Sequence, residues 1–375
     1  MVLVLLAHFA LVSHANAADE AVHSVLLLGY TGLDLFFVLS GFLITGVLLD
    51  ARDAPHRVRN FYVRRALRVI PLYYGTVVVL LLVLPLLRPE GSPAFDALRH
   101  NQAWYWLHGT NFIWKRPGAT PYNTGHFWSL AVEEQFYLVW PAVVFALSSR
   151  QLLRVCVLCV VGALIGRAVT IAVGSAPWVG SFVWTRMDTL AAGGALAVLI
   201  RQPGGLGRYR TGIVRTGVLA GAVAIVSFFM ARSWPKLEPV HLTIGYSAVA
   251  LCFAALVGAA AAGWADRVTT RPVFRFFGKY SYGMYIFHLP MMLKFGPVYA
   301  LVDRVPLVAG TILLRQVVFF AIATPLTAAA GVASWHLYER HFLALKRYFP
   351  AVESGMAKRV SGSSSLTEMV SNTSS

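Results

Sequence analysis

Long apolar runs, separated by short polar turns, make up nearly all of the 375 residues. They fall near 1–17, 25–49, 70–87, 127–147, 152–174, 188–200, 213–231, 243–263, 281–302 and 307–335. A helix needs about 20 mostly apolar residues to cross a bilayer. The pattern therefore predicts an all-α integral membrane protein with about ten transmembrane helices and no sizeable soluble domain. The sixth run is short and can extend backwards through Trp184; the first is also short. We assign residues 1–349 to one polytopic membrane domain. Residues 350–375, rich in Ser, Gly and Thr, read as a disordered cytoplasmic tail.

Composition agrees. Only 13% of residues are charged against 57% hydrophobic, and mean hydropathy is +0.64. Soluble domains carry about 25% charged residues, so the surface of a soluble globule could not be wetted here. A net charge of +16 would suggest nucleic acid in a soluble protein; here the placement of the cations matters more, and no nucleic-acid partner is expected. With both termini in the cytoplasm, 21 of the 32 Lys and Arg fall inside and 8 outside, leaving Arg167, Lys294 and Arg315 within runs. That bias follows the positive-inside rule and predicts a multi-pass protein of a bacterial inner membrane. A signal-peptide reading of the first segment rests on Ala15-Asn16-Ala17, but the positive n-region is missing; it would leave nine spans and an outside amino terminus. Cys156, Cys159 and Cys252 make no disulfide framework. The first two lie inside an apolar run, where small packing residues are the default, and no metal is expected.

Ionisable side chains in mid-membrane cost about 2.5–3.5 kcal/mol on insertion scales, which makes each a functional candidate. Here they are His8, Asp34, Glu133 with Glu134, Arg186 with Asp188, His288 and Glu339. Each also has a plain structural reading. Asp34 could be a buried cap or half of an ion pair, and His8 a hydrogen-bonded core residue. Ser40-Gly41 is the usual mark of close helix packing. On a helix, Arg64, Arg65 and Arg68 share one face. They either anchor to anionic lipid, at about 1 kcal/mol each, or dock a phosphorylated ligand through guanidinium forks. Residues 88–125 carry Trp104, Tyr105, Trp106, Phe112, Trp114 and Tyr122, an interfacial aromatic belt or a platform for stacking sugars.

Six segments in order resemble the acyltransferase-3 family of multi-span membrane acyltransferases. They are GLDLFFVLSGFLIT at 32–45, FYVRRALRVIPLYY at 61–74, HFWSLAVEEQFYLVWP at 126–141, RMDTLAAGGALA at 186–197, GKYSYGMYIFHLP at 278–290 and LYERHFLALKR at 337–347. The third is the most specific, and together they cover nearly the whole chain. The resemblance implies an O-acyltransferase that moves an acyl group, commonly acetyl, from acyl-CoA to a hydroxyl of a sugar, surface glycan or glycosylated small molecule. His8 matches the family's first-helix histidine, Arg64, Arg65 and Arg68 its cytoplasmic arginines, and Ser40 and Gly41 its FFxxSG element.

Two departures stand out. The family carries an arginine about ten residues before that histidine, whereas this chain begins seven residues before His8. An upstream start codon is the expected cause, and loss of half a helix the alternative. His341 follows Glu339-Arg340 where proline is usual. A carboxy-terminal hydrolase-like domain, carried by some members, is not seen in these residues, so transfer alone or hand-over to a separate periplasmic protein is expected.

The implied chemistry needs a base for the acceptor hydroxyl and donors for the developing oxyanion. His8 is the candidate base, Asp34 the carboxylate that orients it, and Ser40 the oxyanion donor. Glu134, with Glu133, positions helices or the acceptor. Arg64, Arg65 and Arg68 hold CoA, while His126, Arg186, Asp188, His288 and Glu339 are acceptor-contacting or structural. Membrane lipids surround the whole. A transporter or a non-catalytic membrane scaffold would also bury polar residues, so both stay open on the residues alone.

Overall fold

A computed structural model describes residues 1–13, 16–87, 93–115, 123–233, 236, 238–292 and 295–350. Ala15, Tyr122, the Trp114 side chain and the tail from residue 351 lie outside them. Helices account for the regular structure throughout, and no β-strand forms among the described residues. In hydrocarbon every backbone N–H and C=O must be satisfied within the segment, and the helix does that.

Eleven helices carry the architecture. They are α1 (Val2–His8), α2 (Ala17–Asp50), α3 (Arg57–Val83), α4 (Phe127–Ala146), α5 (Ser149–Ala172) and α6 (Val183–Leu199). After these come α7 (Gly205–Ser233), α8 (Glu238–Ala261), α9 (Pro272–Met292), α10 (Gly296–Asp303) and α11 (Leu313–Tyr348). Six of them, α2, α3, α5, α7, α8 and α11, are long and apolar enough to span a membrane. The α9–α10 pair, bent by 69°, would make a seventh. The ten spans expected from the runs therefore reduce to six or seven by length and apolarity among the described residues. The three runs that fall short are informative. α1 has only seven residues, and α4 and α6 carry Glu133, Glu134, Arg186 and Asp188.

Polarity tracks position in the bundle. Only 6% of the most apolar stretch of α7 is buried, so it turns its aliphatic side chains outward, as a lipid-facing helix does. In α6, by contrast, Thr185, Arg186, Asp188 and Thr189 are all buried.

The centre is a close crossing of α2 and α6. A Cβ added at Gly41 would sit 1.9 Å from the Leu190 carbonyl oxygen, and one at Gly193 would sit 2.0 Å from that of Val38. Only glycine lets the two backbones meet so closely, which is the packing expected of Ser40-Gly41. Around the crossing lie two buried ion pairs, Asp34–Arg186 at 3.1 Å and Arg167–Asp188 at 2.9 Å. Arg167 Nη1 also donates to the Thr185 carbonyl at 2.6 Å, and Nη2 to Ser247 Oγ at 2.5 Å. Ser247 donates to Asp188 Oδ2 at 3.2 Å. The network thus ties α2, α5, α6 and α8 together. At the ends of α2 and α6, Arg201 pairs with Asp50 at 2.7 Å and donates to the Gly46 carbonyl at 3.1 Å.

The first segment is built into the bundle. Leu5 and Phe9 are buried, and Phe9 packs edge-on against Phe295 and Phe319. Gln316 Nε2 donates to the Phe9 carbonyl at 3.0 Å, and the Leu11 N–H donates to Gln316 Oε1 at 2.6 Å. Helix α2 starts at Asn16, whose side chain caps the Asp19 N–H at 2.9 Å. Asp19 in turn accepts the Ile312 N–H at 3.0 Å, next to the start of α11.

Removing one partner of a buried ion pair leaves an uncompensated charge, at about 3–5 kcal/mol. Asp188→Asn should therefore lower stability in detergent by about that amount, because it strands Arg167. The double variant Arg167→Met, Asp188→Leu should recover most of the loss. Thermal unfolding of the two proteins compares them directly, and equal stability of the single variant and wild type would contradict the role given to the pair.

Candidate active site

His8 closes α1 at one end of an imidazole cluster whose middle ring is His288. Its ring lies 4.9 Å from that of His288 and 5.1 Å from that of Tyr30, centroid to centroid. His126 extends the series, 4.6 Å from His288, and Tyr285 lies 5.1 Å from His126 and 5.4 Å from His288. His126 and His288 are buried, and His8 is half-buried. Three separate elements supply the imidazoles: α1, the residue preceding α4, and α9. Close packing makes this possible. A Cβ at Gly29 would lie 2.2 Å from the Leu3 carbonyl oxygen, and one at Gly32 would lie 2.7 Å from Leu3 Cβ. The two glycines form a bed in which α1 lies directly on α2.

Hydrogen bonds set the ring orientations. His8 Nδ1 is 3.0 Å from the Val4 carbonyl, and His288 Nδ1 is 2.7 Å from the Tyr285 carbonyl. A carbonyl only accepts, so in both rings Nδ1 carries a proton, which in a neutral imidazole leaves the lone pair on Nε2. His288 Nε2 and both ring nitrogens of His126 are buried without a hydrogen-bond partner.

A polar stripe leads away from the cluster along α4. His126, Ser129, Glu133 and Tyr137 follow one another at steps of three and four residues, hence on one helix face. The stripe spans about 16 Å at ~1.5 Å per residue. Ser129 Oγ bonds the Tyr285 hydroxyl at 2.5 Å, and that hydroxyl also donates to the His126 carbonyl at 2.9 Å. One turn on, Tyr137 donates to Glu133 Oε1 at 3.2 Å and bonds the Ser40 hydroxyl from α2. At the far end, the Arg65 guanidinium lies 3.6 Å from the Tyr137 ring centroid and pairs with Glu134 at 2.6 Å. Imidazoles and arginine cluster are thus joined by a line of buried and half-buried polar groups.

Several expected partnerships are absent. Asp34 does not orient His8: Arg186 takes its carboxylate, and the Val4 carbonyl sets the imidazole. Ser40 faces Tyr137 rather than the imidazoles, and Glu134 belongs to Arg65. The three arginines divide. Arg64 donates to the carbonyls of Lys346 and Phe349 at 3.1 and 2.9 Å, and Arg65 is held by Glu134. Arg68 forms no hydrogen bond or ion pair among the described residues, and its guanidinium lies 6.0 Å from the Trp335 ring centroid. Glu339 is buried and accepts from Ser334 Oγ at 2.9 Å. Arg186 and Asp188 belong to the α2–α6 network. The aromatic segment is packed rather than open: Tyr105 is buried, its hydroxyl 2.6 Å from Thr124 Oγ1, and Trp106 stacks on Tyr74. No three His, Cys, Asp or Glu side chains are arranged to hold a metal among the described residues.

Sequence reasoning passed over Arg167, Ser129, Tyr137 and Tyr285. The 126-129-133-137 spacing was a usable signal for the stripe. Nothing in the local sequence pointed to Tyr285 as the neighbour of His126, because their proximity spans about 160 residues of chain.

A helical membrane bundle that holds an unprotonated imidazole nitrogen beside a buried polar line is equipped for proton transfer at a shielded hydroxyl. The chain belongs to the family described as "Acyltransferase domain", whose model matches residues 1–336. Relatives include the peptidoglycan O-acetyltransferase OatA of Listeria monocytogenes, 26% identical over 327 residues, covering 80% of this chain and 51% of that protein. "Putative peptidoglycan O-acetyltransferase YrhL" of Bacillus subtilis is 30% identical over 298 residues, covering 72% of this chain and 45% of that protein. This chain spans about half the length of these curated relatives. No solved structure matches it.

The seating of α1 can be probed at Gly29. Gly29→Val must push α1 off α2, and overpacking of this kind costs about 1–3 kcal/mol. We expect a lower unfolding temperature in detergent, while Gly207→Val, where an added Cβ would have nothing within 4 Å, should be near neutral. Equal behaviour of the two variants would show that α1 is not held as described.

Proposed function

We propose that the protein is a membrane-embedded O-acyltransferase that moves an acetyl group from acetyl-CoA to a hydroxyl of an envelope glycan. The observation that carries this reading is the placement of His8, with Nδ1 bonded to the Val4 carbonyl, against His288, which in turn meets His126. Family membership supports acyl transfer, and the relatives' names favour peptidoglycan as the kind of acceptor.

In the proposed step the acceptor oxygen attacks the thioester carbonyl while its proton passes to His8 Nε2. The carbon–sulfur bond then breaks, and the CoA thiolate takes a proton to leave as the free thiol. An enclosed site limits the entry of water, which would otherwise compete as acceptor. Donors fixed in place would stabilise the oxyanion; in this bundle the Tyr30 hydroxyl next to His8 suits that role better than Ser40. Arg68 suits the CoA phosphates, as its guanidinium forms no hydrogen bond or ion pair among the described residues and lies within electrostatic reach of Glu339, Arg65 and Lys346. Arg64 and Arg65 brace that site. We place the bundle in a bacterial inner membrane with both termini in the cytoplasm. There α1, α4 and α6 join the six long helices and the bent pair as membrane elements, ten in all.

Purified protein in vesicles, given radiolabelled acetyl-CoA and a panel of envelope glycans, tests the reading. A general base contributes about 10²–10⁴-fold, so His8→Ala should insert normally and lose at least a hundredfold in transfer rate. Transfer at the wild-type rate would reject the base assignment, and no acetyl transfer to any glycan by the wild-type protein would reject the function.

A further inference from the structure

One open cavity of about 510 Å³ lies away from the imidazole cluster, between α5, α6, α7 and α8. Its walls are small and apolar: Ala191, Ala195, Gly212, Ala254 and Ala255 are among them. Small residues normally let membrane helices close on one another; here they leave a cleft. Every wall residue of α5, α6 and α7 comes from the half of its helix next to the arginine-rich turns at 150–154 and 201–215. The cleft is therefore confined to one leaflet, and Arg208 and Tyr209 stand at its rim.

Volume and chemistry constrain what fills it. An apolar cavity of about 150 Å³ stays dry and takes up a benzene-sized group, so this cleft has room for a long hydrocarbon chain and offers little to water. The rim asks for a different group. Arg208 is exposed, lies 6.0 Å from the Tyr209 ring centroid, and forms no hydrogen bond or ion pair among the described residues. Arg154 lies one turn before Val157 of the cleft wall on α5. From residue 135 to residue 237 the chain has a single carboxylate, Asp188, and Arg167 takes it at the opposite end of α6. Neither Arg154 nor Arg208 is in an ion pair among the described residues. Arginines at the membrane surface between helices attract anionic headgroups.

We propose that this cleft binds an anionic glycerophospholipid of the surrounding leaflet. One acyl chain lies along the alanine and glycine wall, and the phosphate meets Arg208. The bound lipid fills the space between α7 and the α5–α6 pair, acting as a structural part of the bundle. The proposal does not depend on the acyl-transfer reading.

Two substitutions separate the chain from the headgroup. Arg208→Gln removes the cation at an exposed position. Gly212→Leu puts apolar volume into the cleft from a position where an added Cβ would have nothing within 4 Å, and leucine is the better helix former. The purified full chain is equilibrated with an equal mixture of phosphatidylglycerol and phosphatidylcholine of identical chains, and retained lipid is counted by native mass spectrometry. Wild type should retain the anionic lipid about fivefold over the zwitterionic one, which is ~1 kcal/mol. Arg208→Gln should bring that ratio near one with total lipid unchanged, and Gly212→Leu should lose tightly held lipid of both kinds. Equal retention of the two lipids by wild type, or an unchanged ratio in Arg208→Gln, overturns the proposal. So does displacement of phosphatidylglycerol by an equal amount of a polyprenyl phosphate, which would make a lipid carrier the occupant instead. Should Gly212→Leu fail to fold, the Arg208→Gln ratio alone still decides.

Discussion

Charges buried in a bilayer must find one another, and the Arg167–Asp188 and Asp34–Arg186 pairs set much of the remaining structure. Arg167 is fully buried and Asp188 nearly so, out of reach of bulk solvent. Both pairs include a residue of α6, which must therefore pass close to α2 and α5 at a definite height. Gly41 and Gly193 allow that passage by letting backbone meet backbone. Once α2 is fixed against α6, its earlier glycines, Gly29 and Gly32, form the bed for α1 and so determine where His8 ends up. The position of the imidazole thus depends on ion pairs that never touch it.

The site combines two environments that rarely coexist in a membrane. Around His8 the groups are aromatic and imidazole rings in edge contact, with ring nitrogens left unpaired. Along α4 the groups are hydroxyls and carboxylates ending at a guanidinium. Unpaired nitrogens favour proton transfer, and a guanidinium end favours an anionic partner. The proposed acyl transfer would draw on both. The same division explains the arginines of α3. Two of them bind groups of the protein itself, whereas Arg68 forms no hydrogen bond or ion pair among the described residues.

Much of this was legible residue by residue. The membrane class followed from run length and scarce charge. Gly41 was readable as a packing glycine, and Asp34 as half of an ion pair, because those are the cheapest ways for a membrane to accommodate such residues. Reading Asp34 as the partner of His8 failed for a physical reason. A carboxylate in hydrocarbon goes to the strongest available cation, and Arg186 is permanently charged where an imidazole is not. By length and apolarity six or seven of the ten expected spans stand out among the described residues; α1 is short, and α4 and α6 carry polar residues that face inward. Inward-facing charge lowers the hydropathy of a helix that the bundle nonetheless encloses.

By itself, then, the sequence determined that the chain is helical and membrane-embedded, which residues are too costly to bury without a purpose, and which helix faces carry them. Those properties depend on composition and on spacing of three or four residues. Which charge meets which, and that His8, His126 and His288 converge from three distant stretches, was decided only in the tertiary structure. Most such pairings join distant positions: 152 residues separate Asp34 from Arg186 and 118 separate His8 from His126, although Arg167 and Asp188 are only 21 apart. The physical reason is that helix crossings are set by backbone approach and charge balance across the whole bundle, quantities that no single segment contains.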